Sequence, residues 1–134
     1  MQLTNLLIDQ HEILFRQIHP EFMQNGEPSS QPFCPSAKDE SKLSVDRSAL
    51  TTAARSLELF RENGHASCAV YGLQVKEFLD EEITCYSDPI LASVSILGNL
   101  AHAVADYSAH SKAQQKLKAK RLKIRAIARG QSFP

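Results

Sequence analysis

Short apolar runs separated by turn residues dominate the first half of the chain. Residues 12–19, EILFRQIH, are rich in strand-forming residues and stop at Pro20, so they predict a β-strand. The Asn25-Gly26 pair that follows predicts a turn. Apolar runs and apolar–polar alternation predict further strands at residues 42–46, 67–71, 83–86 and 100–107.

The middle of the chain carries the clearest helical repeat of the body. Apolar residues recur there at helical spacing and predict a central helix: Leu50, Ala53, Ala54, Leu57 and Phe60. Ser48 and Thr51 are the candidate N-caps, and Gly64 stands where a left-handed residue ends a helix. A shorter helix is predicted at 75–82. Its acidic end, residues 80–82, opposes the helix dipole, so we expect it to be short, solvated, or offset by cations from elsewhere.

Two stretches fit these periods poorly. The prolines of residues 27–40 exclude a helix and leave room for an edge strand at 31–34, with Phe33 expected to hold the loop to the body. Residues 90–97, ILASVSIL, fit either a strand or a buried helix, because short apolar runs do not distinguish the two.

The summed pattern predicts an α+β fold: a small, mostly antiparallel sheet with a central helix and a long basic C-terminal helix. At 134 residues we expect one domain, with a body at 11–110 and the basic helix at 111–130, capped by Ser108 or Ser111.

Composition narrows the class of protein further. The longest apolar run is far shorter than the ~20 residues that cross a bilayer, and the N-terminal residues lack the pattern of a secretory signal, so we expect no membrane contact. The three cysteines form no CxxC pair, which favours a reducing compartment, and we expect a cytoplasmic protein. No motif points to a cofactor, and the cysteines predict small buried residues rather than zinc ligands.

Charge is separated along the chain. The terminal helix carries eight cations and no acid, which leaves seven basic residues against all fifteen acidic ones elsewhere. The cations are Lys112, Lys116, Lys118, Lys120, Arg121, Lys123, Arg125 and Arg129. The narrow apolar stripe between them is expected to dock on the body: Ala113, Leu117, Ile124 and Ala128.

The charge pattern predicts a small interaction module that presents its cationic helix to a polyanion, either nucleic acid or an acidic protein partner. Two alternatives stay open. The cations could simply neutralise the acidic body, or the helix could dock on the acidic surface of a second copy and form a homo-oligomer.

A second hypothesis is a small enzyme acting on a phosphate- or nucleotide-containing substrate. Arg16, Ser29 and Ser30 would bind the anion, because a guanidinium and hydroxyls supply suitable donors. His102 and Asp106 share a face and would form an acid/base pair, with His19 as a further catalytic candidate.

Overall fold

The computed structural model describes residues 5–134, and its frame is a six-stranded antiparallel sheet. The strands are β1 (Ile13–Ile18), β2 (Met23–Gln24), β3 (Glu27–Pro28), β4 (Lys42–Arg47), β5 (Ala69–Gln74), β6 (Thr84–Ser87), β7 (His102–Asp106) and β8 (Gln131–Phe133). The sheet order is β6-β7-β4-β1-β5-β8, while β2 and β3 form a separate hairpin. The predicted α+β class is confirmed.

Three α-helices lie in the described part of the chain: α1 (Ala53–Glu62), α2 (Val75–Asp80) and α3 (Lys112–Arg129). The N-cap of α1 is Thr52, whose hydroxyl accepts from the Arg55 amide, so neither predicted cap is used. Gly64 does adopt the left-handed conformation, with φ +88°. At α3 the predicted cap Ser111 is confirmed by a bond from the Gln114 amide.

The main core lies on one face of the sheet. Strand alternation turns Leu14 and Ile18 of β1 to that face, where both are fully buried. Side chains from the neighbouring strands join them: Leu43, Val45, Leu73, Ala103 and Ala105. Helix α3 covers this face through Ala119, Leu122 and Ala126, while α1 lies against the opposite face.

The buried face of α3 differs from the predicted one. Gln115, Lys118, Ala119, Leu122 and Ala126 are buried. The predicted stripe of Ala113, Leu117, Ile124 and Ala128 is exposed instead. On the buried face, the Gln115 amide nitrogen donates to the carbonyls of Tyr107 and His110, while its Oε1 is buried without a hydrogen-bond partner among the described residues.

The proline-rich loop follows an irregular path. The predicted edge strand at 31–34 is wrong, because Gln31–Phe33 forms a 3₁₀ turn in which Pro32 lacks the N–H that a strand would need. Phe33 is fully buried, as expected, and its carbonyl accepts from the Tyr107 hydroxyl at 2.6 Å. The loop is therefore tied to the end of β7 and to the core.

Residues 90–97 form neither a strand nor a buried helix. They make an exposed loop over the face of the sheet that α3 leaves free, with Leu91 77% and Val94 108% exposed. Its base is closed by two backbone hydrogen bonds between Ile90 and Asn99, and Asn63, which follows α1, accepts from the Leu97 amide at 2.8 Å.

None of the described helices is long and apolar enough to cross a bilayer.

Candidate anion-binding groove

Arg16 lies at the point where β1 and β4 diverge. The pairing of these strands ends at Phe15 and Asp46, and beyond that point Arg16 occupies the space between them. Its Nε donates to the Pro32 carbonyl at 2.6 Å and its Nη1 to the Ser44 carbonyl at 3.0 Å. The guanidinium thus joins β4 to the 3₁₀ turn of the proline-rich loop at the point where β1 and β4 diverge.

Arg16 makes no ion pair with any described carboxylate. Burial lowers the pKa of its guanidinium, and the nearby Tyr107 and Asp39 act in the opposite direction. Two of its five N–H donors are engaged, which leaves three for another acceptor. A partly buried cation without a matching carboxylate is suited to binding an anion.

The cations of α3 fall into two rows. Three arginines at four-residue spacing face the acidic residues of α2 and its C-terminal end. Arg121 pairs with Glu81 at 2.8 Å, Arg125 with Asp80 at 2.9 Å and Arg129 with Glu77 at 2.6 Å. These contacts offset Asp80 and Glu81 at the acidic end of α2, which is one of the three expected outcomes.

Three lysines of α3, unlike its arginines, form a row without ion pairs to the described residues. Lys112, Lys116 and Lys120 are exposed and make no ion pair with any described residue. Lys118 is buried and Lys123 is partly exposed on other sides of the helix. The charge of α3 is therefore only partly neutralised by the described carboxylates of the protein.

Two members of the lysine row, Lys116 and Lys120, border a groove of about 800 Å³ between α3, the proline-rich loop and the end of β1. We call this space the cationic groove, and its charged lining consists of Arg16, Lys38, Lys116, Lys120 and Asp39. Asp39 is the one acid among the described lining residues, and it is engaged by the Ser36 amide and hydroxyl. The excess of cations favours an anionic ligand.

Aromatic rings also line the cationic groove. His19 and Phe22 lie with their ring centroids 5.9 Å apart, and Phe60 and His65 lie 4.8 Å apart. Sequence reasoning missed these rings, because the basic helix itself contains no aromatic residue. Only the fold brings rings from the end of β1 and from α1 to the same space as the lysines.

The groove gathers part of the anion-binding set predicted from the sequence. Arg16, Ser30 and His19 line it, and His19 Nδ1 accepts from the Glu21 amide, which leaves Nε2 for a ligand. Ser29 does not line it. The Ser29 hydroxyl is buried and has no hydrogen-bond partner among the described residues.

The structure does not bring His102 and Asp106 together. They stand at the two ends of β7, and the four-residue step along the strand separates them by ~13 Å. His102 Nδ1 lies 2.8 Å from the Asp88 carbonyl and 3.3 Å from its carboxylate, while Asp106 accepts from the Ser108 amide. Sharing a strand face is thus insufficient for the predicted pair.

The cysteines are all free thiols. Burial raises the pKa of Cys34, while Lys112 and Lys116 act to lower it. Among the described residues, no group of three or more His, Cys, Asp and Glu side chains could hold a metal ion.

Comparison with models of protein families, with curated proteins and with solved structures found no match to this chain.

Proposed function

We propose that the protein is an interaction module that binds single-stranded nucleic acid in the cationic groove. The observation that carries this proposal is the contrast between the two rows of α3. The arginines are paired with carboxylates of α2 and its C-terminal end, whereas Lys116 and Lys120 border a groove without such partners among the described residues. Clustered free cations gain affinity for a phosphate backbone by releasing its counterions.

Arg16 offers a planar set of donors that suits phosphate and carboxylate oxygens alike, so it favours an anion of either class. The feature that favours nucleic acid over an acidic protein is the presence of aromatic rings beside these cations. The rings of Phe22 and Phe60 lie in the same groove, and proteins that bind single strands combine cations with stacking platforms. The free cysteines support, as part of this proposal, a reducing compartment such as the cytoplasm.

The other hypotheses gain less support. The enzyme hypothesis needed His102 beside Asp106, and these residues bind other partners. Self-association through α3 needed a free acidic surface, yet the protein's own arginines already engage Glu77, Asp80 and Glu81.

Fluorescence anisotropy with a labelled dodecathymidylate tests the proposal. The double variant Lys116→Glu/Lys120→Glu should bind at least about tenfold more weakly, because two phosphate contacts become repulsive. The matched control is Lys76→Glu/Lys123→Glu, which makes the same change in net charge outside the groove. It should stay within about threefold of the parent, since its effect is only long-range and screened.

Equal loss in both variants would mean that total charge, and not the groove, governs binding. If the parent protein binds polyglutamate but no oligonucleotide, the ligand is an acidic protein and the nucleic-acid proposal is wrong.

A further inference from the structure

A second cavity lies beneath the loop that contains residues 90–97. It measures about 220 Å³ and sits between this loop, α1 and the sheet face opposite α3. Its walls are largely apolar and come from Phe15, Leu59, Phe60, Ile90, Ile96 and Leu97. A cavity of about 150 Å³ is enough for benzene, so this one accommodates a larger planar ring.

Asp46 is the one carboxylate among the described lining residues of this cavity, whose other polar lining includes Gln17, Ser56 and Asn99. The Asp46 carboxylate accepts from the Ser56 hydroxyl at 2.5 Å and from the Asn99 amide at 2.7 Å. The Gln17 amide in turn donates to the Ser56 hydroxyl at 2.8 Å, which fixes its orientation. Asp46 is therefore held in place by neutral donors and makes no ion pair with any described residue.

A carboxylate in this position selects ligands that carry N–H groups. Each of its oxygens has two lone-pair sites and accepts from one of these two donors, so the pair can accept further hydrogen bonds. Apolar walls on either side of such a group form the kind of site that reads a splayed-out base by its hydrogen-bonding edge.

The cavity also adjoins the cationic groove. Arg16, Gln17, Ser44, Phe60 and His65 line both spaces, which meet where β1 and β4 diverge. A ligand with its phosphate beside Arg16 and the lysine row would thus have a ring-sized space within reach of the same arginine. A nucleotide unit has this combination of an anion and a planar ring.

We propose that the cavity is a base pocket that prefers guanine, with Asp46 as the residue that determines specificity. Guanine presents two neighbouring donors, N1–H and the N2 amino group, to the two oxygens of one carboxylate. Adenine and cytosine place an acceptor beside their amino group, and the single imino donor of thymine lies between two carbonyls, so each leaves a carboxylate oxygen facing an acceptor. This inference rests on the proposed binding of nucleic acid.

The test uses four labelled heptanucleotides, each with three thymidines on either side of a central G, A, C or T. The parent protein should bind the G heptamer about tenfold more tightly than the T heptamer. Asp46→Asn should abolish that ratio and keep the affinity for the T heptamer within about twofold of the parent's, because phosphate contacts remain. Asp9→Asn, the same change at an exposed acid outside both spaces, should preserve the ratio.

The outcomes separate the two proposals. Equal affinity for all four heptamers, or a G preference that survives Asp46→Asn, overturns the base pocket and leaves the groove intact. Failure to bind the heptamers and dodecathymidylate alike overturns the proposed function itself. If Asp46→Asn fails to fold, NMR of the parent protein provides the test. The G heptamer should shift the Asn99 side-chain amide signal and the T heptamer should not; any other result overturns the base pocket.

Discussion

Arg16 shows how a single residue can serve both the fold and the candidate site. It lies between the buried Leu14 and Ile18 on β1, a position where an apolar side chain would be expected. Beyond the end of the pairing with β4, the guanidinium donates to the Ser44 carbonyl of β4 and to the Pro32 carbonyl of the proline-rich loop. Arg16 also lines the cationic groove, so the same side chain belongs to the candidate site.

We therefore expect Arg16→Lys to be a costly substitution although it preserves the charge. An ammonium cannot reproduce the planar fork that reaches both carbonyls, so at least one is left without its donor. The free energy of unfolding, measured by urea denaturation, should fall by about 1–3 kcal/mol. If Arg16→Lys proves as stable as the parent, these two hydrogen bonds do not stabilise the region where β1 and β4 diverge.

Cys85 should make the free energy of unfolding fall as the pH rises into the alkaline range. Burial raises the pKa of this thiol above its usual range, and Glu12 adds to the effect. The folded protein keeps the proton, whereas the unfolded chain releases it above about pH 8.5. The free energy of unfolding should therefore fall by about 1.4 kcal/mol for each pH unit above that value.

Urea denaturation at three pH values, from about one unit below to one unit above the ordinary thiol pKa of about 8.5, measures this slope. Cys85→Ala should flatten it, whatever the variant loses in absolute stability. Cys34→Ala should flatten it less, since Lys112 and Lys116 oppose the effect of burial on that thiol. Parallel curves for Cys85→Ala and the parent would exclude Cys85 as the source.

At the scale of the element, local signals in the sequence predict what forms but not which side is buried. The strand-rich run at β1 and the serine cap of α3 act within a few residues, and both predictions are confirmed. The docked face of α3 depends on Gln115, whose amide partners are Ser41, Tyr107 and His110. Periodicity within the helix carries no sign of such partners, so the stripe through Leu117 and Ile124 is the wrong face.

The same limit applies to the candidate site. Lys116 is predictable from local charge, and Arg16 from its residue type next to the proline-rich loop. The exposed loop at 90–97 is not, because its apolar residues resemble those of a buried element. Asp46 carries no local signal at all, since its role depends on Ser56 and Asn99, which come from other parts of the chain.

The arginine row of α3 should contribute to stability rather than to binding. Arg129 Nη1 donates to Glu77 at 2.6 Å and to the Gly72 carbonyl at 3.0 Å, and the Glu77 side chain is only 10% exposed. Arg129→Ala should lower the free energy of unfolding by about 1.5–3 kcal/mol, because the largely buried Glu77 carboxylate loses its short ion pair and keeps only Arg125, at 4.0 Å.

Thermal and urea denaturation of Arg129→Ala should be compared with Lys123→Ala, which removes a cation without a described ion pair from the same helix. The Lys123→Ala variant should stay within about 0.5 kcal/mol of the parent. Equal losses in both would assign the effect to helix propensity or net charge, and not to the contact between α3 and α2.

For the whole molecule, formal neutrality hides two separate charge environments. One side of α3 neutralises α2, while the other side and Arg16 concentrate positive charge around the groove. Attraction of a polyanion therefore depends on position rather than on the net charge, which is zero.

This arrangement predicts how affinity should depend on salt. Three or four phosphate contacts, from Arg16, Lys38, Lys116 and Lys120, give a slope of about −2 to −3 for log K against log salt with a single strand. Lys116→Ala/Lys120→Ala should flatten that slope by about 1.4, measured by anisotropy over a roughly fourfold range of salt concentration. The ratio of affinities for the G and T heptamers should not change over the same range, because a base contact releases no counterions. A ratio that falls with salt in parallel with the affinities would mean that the apparent base preference comes from the backbone.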